Sequence, residues 1–312
     1  MSTDFTMRFP ATSANLGPAF DTAAVALSLS LQVAAGRAAE FSIEATGRDA
    51  AVCGNVTDSL LLRTYRDVLS ANGVSEPPAL ALRIHNEIPI GMGLGSSAAA
   101  RLAGIALALK YGGLDWSTEQ VLAEAIRLEG HPDNAVACWL GGFTVAACPD
   151  TTEGVLSLAR FEPPGNWSAV LVVQETQLAT GKARAALPNM YPRLDAVKNI
   201  QSTALLVSAF AQQRGDLLKA AMQDTLHQQY RSRFCPLLEA LADMEQVAGV
   251  LGVALSGSGP GVLLIIEKRT PIATLYDGIE RRTAHLAGSE IILCDFTSAG
   301  AAKTLSDEWA NA

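Results

Sequence analysis

The chain is short of positive charge, and the little it has does not cluster. Lysine and arginine number 23 against 31 aspartates and glutamates, a formal net charge of −8, and no basic run is longer than a pair. That excludes a surface for nucleic acid or anionic membrane and points to small-molecule partners. Cysteine is scarce and unpatterned: five, at Cys53, Cys138, Cys148, Cys235 and Cys294, with no Cys-x-x-Cys pair. This excludes a thiolate zinc site and fits a reducing compartment, the cytoplasm. No apolar run approaches ~18 residues, and no basic region precedes an apolar stretch at the N-terminus, so neither a membrane span nor a signal peptide is expected. Charged residues make up 17% and hydrophobic residues 49% of 312, which excludes disorder and predicts a compact protein of two domains.

Strand-like runs at 5–10 and 23–34 flank a turn-rich segment, residues 12–18. Alternation at Phe41, Ile43 and Ala45 predicts a strand, and Asp58 or Ser59 caps a helix through Leu69. Leu80, Leu82 and Ile84 alternate again and lead into a glycine loop. An alanine-rich helix over 97–111 follows, ended by Gly112-Gly113. Ser117 starts another helix, which Gly130-His131-Pro132-Asp133-Asn134 interrupts. The prolines at 149, 163 and 164 mark the boundary between residues 1–160 and 161–312. Beyond it, helices are expected over 195–212, from Asp216 to Tyr230 and from Pro236. With strands at 167–173, 250–255, 262–266 and 291–295 and a helix around 271–287, the second half reads β-α-α-α-β-β-α-β, an α+β arrangement of helices on an antiparallel sheet.

The loop Pro89-Ile90-Gly91-Met92-Gly93-Leu94-Gly95-Ser96-Ser97-Ala98-Ala99 reads as a phosphate cradle. Its glycines bring backbone close to an anion, Ser96 or Ser97 can cap the next helix, and that helix aims free N–H groups at the phosphates. It is not a Walker A sequence, because no Lys-Ser/Thr follows the last glycine. Gly93-x-Gly95-x-x-Ala98 with Asp115 mimics a dinucleotide fingerprint, but the alternating βαβ continuation is missing.

The whole string resembles the ATP-binding motif of the GHMP kinases. Residues 10–21 (PATSANLGPAFD) and 256–261 (SGSGPG) are similar to that family's first and third motifs, in order across nearly the entire chain. The first string, Glu129–Asn134, residues 180–188 and residues 224–231 are most similar to the homoserine-phosphorylating members. The resemblance implies a two-lobed α+β fold: an N-terminal lobe like ribosomal S5 domain 2 with a left-handed βαβ unit, and a ferredoxin-like C-terminal lobe. It implies ATP and Mg²⁺ as cofactors, L-homoserine as acceptor and a homodimer. The alternatives are a related kinase with another alcohol acceptor, or a silent ATP- or metabolite-binding sensor.

By the same resemblance, residues 89–99 bind ATP, and Ser96 with Glu129 holds Mg²⁺, Glu124 being the alternative to Glu129. Asn15, Asp21, His131, Asp133 and Gly259 surround homoserine, while Arg184 and Arg231 clamp its carboxylate. Thr180, Asn15, Asp21 and Asn134 stand at catalytic positions. Because Asn134 is an amide where several members carry an aspartate, the hydroxyl proton is expected to pass directly to a γ-phosphate oxygen, with Asp21 the runner-up as general base and Asp133 behind it. Asn55 and Ser59-Leu60 are candidates for the adenine pocket. Ala19, where the family usually has glycine, is expected to cost on the order of 1 kcal/mol if its φ is positive.

Overall fold

A computed structural model describes residues 5–148, 156–174, 180–286 and 288–304. Ten strands run in order as β1 Phe5–Asn15, β2 Ala19–Arg37, β3 Ser42–Gly47, β4 Leu80–Asn86, β5 Phe143–Ala147, β6 Ser157–Phe161, β7 Trp167–Gln174, β8 Val250–Leu255, β9 Val262–Glu267 and β10 Ser289–Cys294. The helices are α1 Ala50–Cys53, α2 Leu60–Ala71, α3 Ser96–Gly112, α4 Thr118–Glu129, α5 Asp133–Leu140, α6 Thr180–Arg184, α7 Arg193–Ala211, α8 Leu218–Ala221, α9 Gln228–Arg231, α10 Pro236–Leu241 and α11 Ile272–Thr283.

The first sheet is built on β2, whose 19 residues pair with β1 along one edge. Its other edge is shared, β4 pairing with Leu31–Arg37 and β5 with Ala23–Val25. Parallel β3 and β4 are joined through α1 and α2. The second sheet has the order β10-β7-β9-β8, antiparallel throughout, as a ferredoxin-like lobe requires.

Local chemistry explains the helix ends. Ser59 Oγ accepts from the Leu62 N–H at the start of α2, and Ser117 with Gln120 forms a capping box on α4. Alanine-rich α3 is buried on most faces, which lets it lie between β1, α2, α4 and α5. One hydrophobic core runs through both sheets, and Phe143 on β5 stacks on Phe210 on α7 at 4.0 Å between ring centroids.

Several sequence expectations change. The turn-rich 12–18 segment is strand as far as Asn15, paired with the start of β2. Strand β6 lacks inward apolar alternation and exists through its pairing with β5. The single helix expected from Asp216 to Tyr230 is instead a 3₁₀ turn, α8 and α9. The Asp224 carboxylate breaks it, accepting from the N–H groups of Leu226, His227 and Gln228 at 2.6–2.9 Å. Helix α3 is capped by Gly95 in the left-handed region, not by Ser96 or Ser97. Ala19 is buried in β2 outside the left-handed region, so no strain falls there; Asn15, Leu16 and Asp21 carry the positive φ instead.

Candidate active site

Three loops interlock to form the floor of a cleft of about 420 Å³. The Thr12 N–H donates to the Leu94 carbonyl, the Gly257 N–H to the Ala14 carbonyl, and Ser256 Oγ to the Gly93 carbonyl. Packing is close enough to require glycine: a Cβ on Gly93 would lie 2.0 Å from the Ser256 carbonyl oxygen, and one on Gly95 2.0 Å from Thr12 Oγ1. Both also have positive φ. The loop therefore presents its backbone and the start of α3 to the cleft.

Ile90, Gly91, Gly93, Leu94, Gly95, Ser96 and Ser97 line this cleft. Pro89, Met92, Ala98 and Ala99 do not. Met92, Ala98 and Ala99 are buried, while Pro89 and Met92 face a second crevice with Arg48 and Glu290. Pro89 and Met92 share that crevice with Ile90, which lines both hollows. Asn55 closes a local turn, accepting from the Thr57 and Asp58 N–H groups, and neither it nor Ser59 is part of the cleft lining.

The structure brings Glu129 to Ser97, whose Oγ donates to Oε2 at 2.9 Å, and to Arg101, whose Nε lies 2.5 Å from Oε1. Glu124 pairs with Arg127 away from the cleft. The hydroxyl beside Glu129 thus belongs to Ser97 rather than Ser96. Glu129 Oε1 is buried without a hydrogen-bond partner, and a hydroxyl with a carboxylate is the hard-oxygen set Mg²⁺ favours, so these residues fit the ion.

The same cleft holds further charges of both signs. Both oxygens of Asp21 accept from Arg184 at 2.7 Å, and the Asp21 N–H donates to Asn15 Oδ1. Arg231 is 1% exposed, yet among the described residues it makes no ion pair. It donates to His227 Nδ1 and to the carbonyls of Gly257 and Ala183 at 3.1–3.4 Å. Accepting from Arg231 leaves Nε2 of His227 to carry the proton toward the Gly17 carbonyl, 2.7 Å away. Burial drives the His227 pKa down, so the ring is neutral. Burial, then Arg184, also lower the pKa of Arg231, which favours an incoming anion.

His131 Nδ1 lies 2.6 Å from Asp133 Oδ1, which also accepts from the Asn134 backbone and side-chain amides. Burial opposes the charged ring, but the Asp133 hydrogen bond and the charges of Asp133, Asp21 and Glu129 raise its pKa above 6.5. Asn134 Oδ1 accepts from Thr12 while its Nδ2 donates to Asp133, so both ends of the amide are engaged. Asp21, His131 and Asp133 offer ligand atoms within 4.8 Å of one another. Arg184 already occupies both Asp21 oxygens, which leaves them engaged as the cleft stands.

Of the third-motif loop, Gly257 and Ser258 line the cleft, while a Cβ on Gly259 would meet Cys235 Sγ at 2.7 Å. Thr180 opens α6, but its side chain lies outside the described residues. Sequence reasoning missed Arg101, His227, Asp224 and Asn199, the last donating to the Pro18 carbonyl and accepting from the Thr225 N–H. The four-residue spacings Ser97–Arg101 and His227–Arg231 were the available signals.

The models for the GHMP kinases N terminal domain and the GHMP kinases C terminal match residues 59–142 and 206–285. A homoserine kinase of Solibacter usitatus is 39% identical over 95% of this chain and 96% of that protein. One from Symbiobacterium thermophilum is 42% identical over 80% and 79%. The crystal structure of homoserine kinase from Cytophaga hutchinsonii superposes with a TM-score of 0.79 at 22% identity, covering 95% of each chain. The L. major mevalonate kinase in complex with R-mevalonate gives 0.67 at 15% identity, covering 96% of this chain and 97% of that one, a likeness of fold. The chain belongs to the GHMP kinase family, and within it to the homoserine kinases.

Proposed function

We propose that the chain transfers the γ-phosphate of ATP to the side-chain hydroxyl of L-homoserine, giving O-phospho-L-homoserine for threonine synthesis. The observation that carries this reading is Arg231, a buried cation with no carboxylate partner among the described residues, in one cleft with the phosphate loop. Its natural complement is the carboxylate of an amino-acid substrate. That carboxylate also displaces Asp21 from Arg184, freeing the Asp21 oxygens to meet the substrate ammonium or hydroxyl.

Catalysis of this kind is positioning and charge neutralisation. Backbone N–H groups of residues 91–97 hold the phosphates, and Ser97 with Glu129 holds Mg²⁺, which would neutralise phosphate oxygens. Asn134 orients Thr12 and Asp133, and its engaged amide takes no proton. Asp21 is the base once Arg184 has released it. Thr180 is a further candidate on α6. The two lobes are taken to meet where β6 ends, near residues 160 and 161, and the enzyme works as a homodimer in the cytoplasm. No helix among the described residues is long and apolar enough to cross a membrane.

An ADP-release assay with L-homoserine, L-threonine, mevalonate and galactose tests this. Homoserine-dependent turnover is expected; turnover with only another alcohol, or ATP binding without turnover, overturns the reading. Light scattering checks the dimer.

A further inference from the structure

Arg101 lies four residues after Ser97 on α3, so both side chains leave one helix face and both reach Glu129. The two contacts differ in kind. Ser97 makes a regular hydrogen bond to Oε2. Arg101 Nε lies closer to Oε1, but not at a hydrogen-bonding angle, and both atoms are buried without any hydrogen-bond partner. At Asp21 and Glu124, by contrast, Arg184 and Arg127 meet the carboxylate through paired N–H···O bonds. Arg101 instead lays its charge against Glu129 without that fit. The Glu129 side chain is 7% exposed, and Arg101 lines the cleft beside Gly95, Ser96 and Ser97.

We propose that Arg101 is an exchangeable counter-ion. It neutralises Glu129 while no divalent cation is bound, yields the carboxylate to that cation, and turns its guanidinium to the phosphates held at Gly95–Ser97. This rests on the reading of Ser97 and Glu129 as cation ligands. A carboxylate so poorly exposed needs a positive charge beside it in every state. Two cations competing for one carboxylate weaken each other's hold, so Arg101 sets the divalent-cation requirement. Its planar, permanently charged fork, once released, suits a phosphate.

Arg101→Met and Arg101→Lys test the proposal, with MnCl₂ as the probe cation. Without nucleotide, R101M is expected to unfold at lower temperature than the wild type in EDTA. Mn²⁺ should restore it at about tenfold lower concentration than acts on the wild type. At saturating Mn²⁺, its ATP affinity by calorimetry should fall about tenfold. R101K, which keeps the charge, should keep the wild-type Mn²⁺ response. A purely structural arginine would lower stability without moving the two affinities in opposite directions. Equal Mn²⁺ responses of wild type and R101M overturn the proposal. Glu129→Gln separates the causes: if it abolishes the response while R101M leaves it unchanged, only the role of Arg101 fails. If E129Q retains the response, the cation reading of Glu129 fails and takes the proposal with it.

Discussion

Asp21 commits both backbone and side chain to the cleft. Its φ of +52° is one a non-glycine residue holds at a cost on the order of 1 kcal/mol, offset here by the bond from its N–H to Asn15 and by Arg184. Asp21→Asn removes the carboxylate proposed as the base and halves the grip on Arg184. Expected is a fall in kcat/KM for homoserine of about 10²–10³, with the KM for ATP unchanged, read from steady-state kinetics in both substrates. His131 gives a pH-dependent prediction. Its folded pKa is raised, so the stability from its contact with Asp133 is complete below the unfolded value near 6.5 and is lost as pH rises through the folded value. His131→Gln should therefore destabilise the protein by about 2 kcal/mol at about pH 5.5 and by clearly less at about pH 9. Urea unfolding at both pH values checks it; an equal loss at each would place the effect outside the charged pair.

Among the elements, those whose ends are set locally were readable: α2 by Ser59, α4 by its capping box, and the C-terminal end of α3 by Gly112-Gly113. The 216–230 segment misled because Asp224 competes for the backbone N–H groups a continuous helix would use. That break turns His227 and Arg231 into the site. Asp224→Ala should cost about 1–2 kcal/mol, as loss of a helix cap does, and raise the KM for homoserine while sparing that for ATP. Thermal unfolding and kinetics together check it. Normal homoserine KM in a destabilised variant would uncouple the break from the site.

The whole molecule behaves as one body in its packing, since the first core contains residues of both sheets and the tail after β10 returns to the first lobe. The Gly142 N–H donates to the Thr297 carbonyl, Leu27 bridges Phe296, and Ala301 is buried. Arg48 and Glu290 add an ion pair across the lobes. Phe210→Ala, which empties the stack on Phe143 and the edge contacts to Trp167 and Phe296, should cost about 3–5 kcal/mol. Unfolding should stay a single transition by circular dichroism and tryptophan fluorescence. Two separated transitions would show that the lobes unfold independently.

Sequence by itself determined the elements whose period and ends are local, such as α2 and α4, and the phosphate loop, because close backbone approach restricts positions 93 and 95 to glycine. It also fixed Asn15, Asp21, His131, Arg184 and Arg231 as residues of one cleft through the family resemblance. Only the tertiary structure decided that Ser97 rather than Ser96 faces Glu129, that Gly257 rather than Gly259 lines the cleft, and that Arg101 bears on the same carboxylate. Neighbours in sequence differ in direction, not in chemistry, and direction is set by the helix and loops that the distant first and third motifs hold in place.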